Sequence, residues 1–360
     1  MLAPNPEALL AQLSTDYTNN SLLMAWSHTL LNTSLYPIRP KPAFFDRFSS
    51  ELAKAKAITQ PWLHQEYPKI AAALPQSLIN YGNTVVPTID ELIPALAASR
   101  PDRGLIIDLI EALRSEAQDQ QKVVLGLRTK VDLFAPEVVA VASEATRVAS
   151  EVLEAAGATS RKVLSLQSRI GELQQELAAV GVDAKNAMKG AATTGATLSM
   201  TLMSFTISAG IGAAAFPVFG LAGAFIGIGV NAAIEASKSQ RVLQLMREIG
   251  QLVVELDAEQ HQAAALQAIA KSLEKLADFA GDATANMKGI VHHWEDIVSN
   301  LDLLRELLDQ PAIELRRLMP LTEVRLRGAQ TAWRQILQGA EKVQTSFLVP
   351  ATPIELKVGA

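Results

Sequence analysis

Hydrophobic and polar positions change period along this chain, and the changes divide it into three parts. After Pro6, apolar residues at Leu9, Leu10, Leu13, Leu22, Leu23 and Trp26 predict a helix from Glu7 to about Leu31. Pro37, Pro40 and Pro42 then interrupt any periodic element. Shorter helices are expected over Phe44–Ile58, Trp62–Asn80 and Thr88–Ala98, limited or kinked by Pro61, Pro68, Pro75, Pro87 and Pro94. Thr88 to Glu91 has the form of a capping box, with Thr88 as the cap and Glu91 reaching back.

From Arg103 to Val180 only Pro136 interrupts, and it is expected to kink or split the element. Apolar positions recur at spacings of three and four through Val138, Val141, Ala145, Val148 and Val152. They resume at Val163, Leu166, Ile170, Leu173, Leu177 and Val180 after a phase shift. A second series runs through Val242, Leu245, Ile249, Leu252, Leu256, Ala263, Leu266, Ala270, Leu273, Ala277, Ala280, Met287, Val291, Trp294, Val298 and Leu301. One heptad frame fits it, interrupted only at Glu259 and Thr284. At 1.5 Å per residue the two rods reach about 117 and about 110 Å if unbroken, and antiparallel packing is their simplest arrangement. Pro311 should end the second rod. One or two helices are expected from Ala312 to about Gln344, with Arg316, Arg317, Arg325 and Arg327 as a solvated face. The tail from Phe347, with Pro350 and Pro353, is expected either as an added extended strand or as loose chain.

Between the rods lies the stretch around which the chain is organised. The 45 positions from Gly190 to Ile234 hold no charged residue. A bilayer core about 30 Å thick needs about 20 apolar residues as a helix, so the stretch suits two spans with a break between them. Pro217 and Gly220 are the expected turn of an apolar hairpin with arms of about 26 and 17 residues. Thr194, Thr197, Thr201, Ser204 and Ser208 would form one hydroxyl stripe on a helical first arm, tolerated in lipid or facing water in a channel. Gly223, Gly227, Gly229 and Ala233 give the second arm small-residue spacings that suit close helix packing. Strands also fit: Ser204–Ser208 alternates polar with apolar, and the glycine-rich run to Val230 suits a β-ribbon. The residues expected to meet lipid are Leu198, Met200, Leu202, Met203, Phe205, Ile207, Ile211, Phe216, Val218, Phe219, Leu221, Phe225, Ile226, Ile228 and Val230. The organisation expected is a first half of stalk and tail helices (1–189), the head hairpin (190–234), and the returning stalk helices with the tail (235–360).

Composition narrows the chemistry. Of 360 residues, 49% are hydrophobic but only 5% aromatic, which favours packed helices over a β-sandwich. A net charge of −5 offers no basic footprint for nucleic acid. Zero cysteines remove disulfides, thiolate metal sites and cysteine nucleophiles. The start of the sequence lacks a basic segment followed by an apolar run, so no cleavable signal peptide is expected. No phosphate loop, dinucleotide fingerprint or serine-hydrolase elbow is present. His292 and His293, near Glu295 and Asp296, point about 100° apart on a helix and make a poor metal site. Neither a cofactor nor an enzymatic activity is expected. The hairpin therefore carries the functional reading, which stays open between a membrane-inserting subunit, a permanent membrane anchor and a buried core hairpin.

Long helices flanking an apolar head with a central turn, Ala214-Ala215-Phe216-Pro217-Val218-Phe219-Gly220-Leu221, resemble the cytolysin A-type α-pore-forming toxins of bacteria. The architectural resemblance covers about residues 1 to 345. Within that family the chain looks most like the membrane-spanning B component of the Gram-negative three-part toxins of the Aeromonas and Serratia type. The resemblance implies an all-α elongated bundle of antiparallel helices with a helical or β-tongue head at one tip. It also implies a soluble form whose head folds onto the body, then extends into a target-cell bilayer. Homo-oligomers, companion subunits of A and C type, cell lysis and secretion without a cleaved signal are implied in the same way.

Overall fold

The computed structural model describes residues 2–32, 43–155, 164–166, 168–173, 175–176, 179, 199–211, 214–216, 224–228, 240–245, 247–249, 251–252, 258–310, 321–345 and 347–358. Its first helix, α1 (Pro6–Asn32), starts where the sequence asks it to. The Asn5 side chain accepts the Ala8 amide at 3.0 Å, and Pro6 follows in the first turn, where a missing N–H costs nothing. α1 is covered on more sides than an amphipathic surface helix would be. Leu9, Leu13, Leu23 and Trp26 are buried, but so are Ser14, Asp16, Thr18, Asn19, Asn20 and Ser27. Several of these polar groups are satisfied on their own helix. Ser14 and Thr18 donate to the carbonyls of Leu10 and Ser14 at 2.7 and 2.8 Å, and the Asn20 amide donates to the Asp16 carbonyl and carboxylate at 2.9 and 3.0 Å.

α2 (Ala43–Pro61) runs through a single π turn, Trp62–Glu66, into α3 (Tyr67–Ala97). The expected breaks do not occur here: α3 continues through Pro75, Pro87 and Pro94. Thr88 is not a cap but an interior residue whose hydroxyl donates to the Thr84 carbonyl at 2.7 Å. The reason is a stripe that crosses all three prolines in phase. Ile70, Leu74, Leu78, Tyr81, Val85, Ile89, Leu92 and Leu96 are all buried. Each such side chain is worth about 1.5–3 kcal/mol when buried, and together they outweigh the ~3 kcal/mol that each interior proline costs.

α4 (Arg103–Ala155) begins where the Asp102 carboxylate accepts the amides of Gly104 and Leu105 at 2.9 and 3.2 Å. Pro136 lies inside it without dividing it. The returning rod includes α5 (Ala258–Leu308), and α6 (Glu323–Gln344) follows. The described residues between 164 and 179, and between 240 and 252, are also helical and extend both rods. The expected phase shift between Val152 and Val163 falls largely, and the basic pair Arg316–Arg317 entirely, outside the described residues.

The rods are antiparallel. Arg103 donates to the carbonyls of Leu308 and Gln310 at 2.8 Å, Arg114 pairs with Asp302, and the Thr146 hydroxyl donates to Glu274 at 2.8 Å. Farther on, Arg241 meets Glu172 at 3.1 Å and Arg169 meets Glu248 at 3.1 Å. Partner numbers fall steadily as the numbers of the first rod rise, so the described pairs share one antiparallel register. These pairs are partly exposed and contribute little each. The apolar seam does more: Val138, Val141, Ala145, Val148 and Val152 on one rod, and Leu266, Ala270, Leu273, Ala280, Met287, Val291, Trp294, Val298 and Leu301 on the other, are buried as the periodicity predicts. Leu166, Ile170 and Leu173 continue it against Val242, Leu245 and Ile249.

An aromatic cluster joins three helices at the other end. Tyr81 of α3 meets Trp294 of α5 and Trp333 of α6 edge to face, with centroids 5.5 and 4.8 Å apart. The Trp333 indole donates to the Leu2 carbonyl at 3.0 Å, tying the N-terminus to α6. α6 approaches its neighbours at glycines. A Cβ on Gly82 would stand 2.6 Å from Leu337, and one on Gly339 would overlap Leu10. Gly339→Val should therefore cost about 1–3 kcal/mol in chemical unfolding, the range for overpacking a filled core.

Asp16 adds a pH term. Burial pushes its carboxyl from the ordinary 3.8 up to about 7, while the hydrogen bond from Asn20 pulls the other way. A raised carboxyl stabilises the fold fully below about pH 3.8 and loses that contribution as pH rises towards 7. Unfolding free energies of wild type and Asp16→Asn, measured from pH 4 to 8, should diverge across this window. The wild type should lose stability relative to the variant as pH rises, and the gap should level off above pH 7.

Candidate functional site: the uncharged head

The described residues of the charge-free stretch are β-strands in this structure. β1 (Ser199–Ile211) is followed by β2 (Ala214–Phe216) and β3 (Ala224–Ile228), and the tail supplies β4 (Phe347–Val358). The strand reading therefore holds in this state for Ser204–Ser208 and for residues 224–228 of the glycine-rich run. The alternating residues and the small, β-branched and aromatic side chains around them suit a pleated strand.

β1 is the central strand. It pairs antiparallel with β2 through Ala209–Phe216, Gly210–Ala215 and Ile211–Ala214, and with β3 from Met200–Ile228 to Ser204–Ala224. It also pairs in parallel with β4 from Ser199–Phe347 to Ala209–Val358, with an irregularity between Thr201 and Met203. Ala209 has partners in both β2 and β4, and Met200 and Ser204 have partners in both β3 and β4. A strand has two edges, so β2 and β3 share one and β4 takes the other. β2 and β3 are thus two pieces of a single return arm.

The first reversal of the chain falls between Ile211 and Ala214, earlier than the sequence suggested. Pro217 and Gly220 fall between the two pieces of the return arm and outside the described residues, as do Leu198, Val218, Phe219, Leu221 and Val230. Of the hydroxyl series, Thr201, Ser204 and Ser208 are in β1, while Thr194 and Thr197 lie outside the described residues. Alternate positions of a strand belong to opposite faces, so Thr201 falls on the face opposite Ser204 and Ser208. The single stripe exists only if the arm is a helix. The expected lipid-meeting residues Met200, Leu202, Met203, Phe205, Ile207 and Ile211 are brought together in β1, with Phe216 in β2 and Phe225, Ile226 and Ile228 in β3.

Two elements cover this sheet. β1 and β3 pack against α1, the helix that the body already buries. β4 adds the only charged positions in the described strands, Glu355 in register with Thr206 and Lys357 with Ser208. Apolar positions are in register as well, Phe205 with Ile354 and Ile207 with Leu356. The partner of β1 was not foreseen. Its signal was nonetheless visible, because Ile354, Leu356 and Val358 alternate with Glu355 and Lys357.

The long-helix body with its β head has close counterparts of known structure. Motility-associated killing factor B from Vibrio cholerae superimposes with a TM-score of 0.78 at 17% identity, covering 99% of this chain and 97% of that one. Soluble AhlB of the tripartite α-pore-forming toxin AHL from Aeromonas hydrophila gives 0.75 at 11%, covering 97% and 95%. Soluble SmhB of the tripartite α-pore-forming toxin Smh from Serratia marcescens gives 0.70 at 15%, covering 99% and 96%. This chain has the fold of the cytolysin A-type α-pore-forming toxins. No protein-family model matches the sequence, and no curated protein matches it.

Other candidates hold less. His292 lies 3.6 Å from the carboxylates of Glu295 and Asp296 on an exposed helix face, and burial lowers the His293 imidazole. No group of residues able to hold a metal ion occurs among the described residues. Arg325 and Arg327 are exposed, as expected for a solvated face.

The sheet makes a spectroscopic prediction. Thr206→Pro removes a backbone donor from the middle of the central strand, at a position in register with Glu355 of β4. It should weaken the β contribution to the infrared amide I band and leave helical circular dichroism nearly unchanged.

Proposed function

We propose that this protein is a subunit of a pore-forming toxin. It folds in water with its head covered, changes conformation at a target-cell membrane, inserts the 190–234 hairpin and oligomerises to lyse the cell. The observation that carries this reading is the 45-residue uncharged stretch, whose described residues are β-strands packed against a body with the α-pore-forming toxin fold. The solved structures of that fold include soluble AhlB and SmhB, each described as belonging to a tripartite toxin, which supports companion subunits for this chain. Secretion without a cleaved signal, a homo-oligomeric pore and companions of A and C type belong to the same proposal.

The physical case rests on the backbone. In hydrocarbon every N–H and C=O must be satisfied within the protein, so inserted arms are helices or a closed barrel. Among the described residues no helix is long and apolar enough to cross a membrane. Insertion as helices therefore requires the head to change secondary structure. A first arm of about 26 residues would then reach about 39 Å, enough for the ~30 Å core. As a helix it would also regain the hydroxyl stripe through Thr194, Thr197, Thr201, Ser204 and Ser208, the polar face that a water-filled pore needs.

Detergent-free protein should release dye from liposomes, alone or once candidate companion chains are added. Phe205→Asp and Ile226→Asp should reduce that release at least about tenfold while the helical body stays folded, because a charge at mid-bilayer is costly. Folded variants that lyse as the wild type does would remove the insertion model. Protein that neither binds nor leaks vesicles in any combination would favour a buried core hairpin, and protein that requires detergent would favour a permanent anchor.

A further inference from the structure

The sheet joins two segments with different fates under the proposed function, on which this inference rests. β1, β2 and β3 come from one continuous uncharged stretch and can leave together. β4 cannot easily go with them. It follows α6, which packs on α3 and α1 in the body, and it carries Glu355 and Lys357. Both charges are poorly tolerated in hydrocarbon. Yet β4 occupies one whole edge of β1, through ten registered pairs between Ser199 and Ala209.

A helical β1 must give up both of its ladders. The ladder to β2 and β3 is internal to the moving hairpin, so its partners move with it. The ladder to β4 ties the hairpin to the body across the whole of α5 and α6. It also covers an edge that would otherwise present unpaired N–H and C=O groups, the usual site of unwanted strand pairing.

We infer that β4 is a strap: the C-terminal strand holds the uncharged head in its β form, and its separation from β1 is the step that releases the head. The pairing is made of backbone hydrogen bonds between segments distant in sequence, so it opens as a unit without disturbing the rods. β4 stays with the body when the head leaves. Pro350 and Pro353 suit this part, since both lie within the β4 strand and each lacks a donor, which lowers the number of hydrogen bonds the ladder can make.

Two experiments test the strap. The first is amide hydrogen exchange on the membrane-free protein, comparing the full chain with a chain ending at Ser346. The strap predicts that exchange over 199–211 speeds up on the order of tenfold or more in the shorter chain, while α4 and α5 keep their protection. Co-flotation with liposomes should rise in parallel. Unchanged exchange over 199–211 would overturn the strap whatever the membrane behaviour.

The second experiment uses the absence of native cysteines. Thr206→Cys combined with Glu355→Cys places two thiols at registered positions of neighbouring strands. The oxidised protein should lose dye release at least about tenfold and recover it on reduction, while each single variant is insensitive to oxidation. Equal release by oxidised and reduced protein would overturn the strap and leave the toxin reading standing. Absence of release from wild type and all variants would overturn the toxin reading, and the exchange measurement would still decide whether β4 restrains β1.

Discussion

A backbone that leaves water must take its hydrogen bonds with it, and this constraint shapes the whole head. Forty-five residues without a charge cannot lie open to solvent, and they cannot enter lipid as an open sheet. In this fold the problem is met by making β1 a central strand. Its own return arm pairs with one edge at 200–204 and 209–211, the C-terminal strand pairs with the other, and α1 lies against the sheet. Nothing in that arrangement is permanent in the sense that a packed core is. It is a set of ladders around one strand, and ladders can be exchanged for the internal bonds of a helix.

The body supplies what the head lacks. The α4–α5 seam is apolar along its length, and the ion pairs on its flanks fix register more than they add stability. Tyr81, Trp294 and Trp333 lock α3, α5 and α6 together at the end where the N-terminus is pinned. Trp62 stacks on Phe134 at 4.2 Å and holds the α2–α3 junction to α4. α1 carries several of the buried polar atoms that lack a hydrogen-bond partner among the described residues. Oδ1 of Asp16 and both amide atoms of Asn19 are buried and have no partner among the described residues. Such groups weaken the packing of a helix that touches the head sheet.

The rods were legible because burial has the same period as the helix. Met287, Val291, Trp294, Val298 and Leu301 were read from spacing alone and are buried. The prolines of α3 misled because a local rule was set against a tertiary gain. Pro75, Pro87 and Pro94 argue for breaks, and only the in-phase stripe from Ile70 to Leu96 shows why there are none. Nothing in the sequence marks Asp16 and Asn20 as buried, because polar residues at such positions ordinarily face solvent. The head was ambiguous for a deeper reason. The positions 201, 204 and 208 form one face of a helix and two faces of a strand, so the sequence supports both. The pairing of β1 with β4 joins segments some 150 residues apart, and no local pattern encodes such a register.

The central claim is that the uncharged head leaves its sheet and enters lipid while the rods stay in water. The most direct test is a polarity-sensitive fluorophore placed on single cysteines in this cysteine-free chain. One label would replace Ile226 in β3, and the other would replace Leu303, which is exposed on α5. With liposomes present, the label at 226 should shift to the blue and be quenched by lipid-borne quenchers, while the label at 303 should do neither. Membrane-bound protein in which the label at 226 reports water, or in which both labels respond alike, would contradict the account.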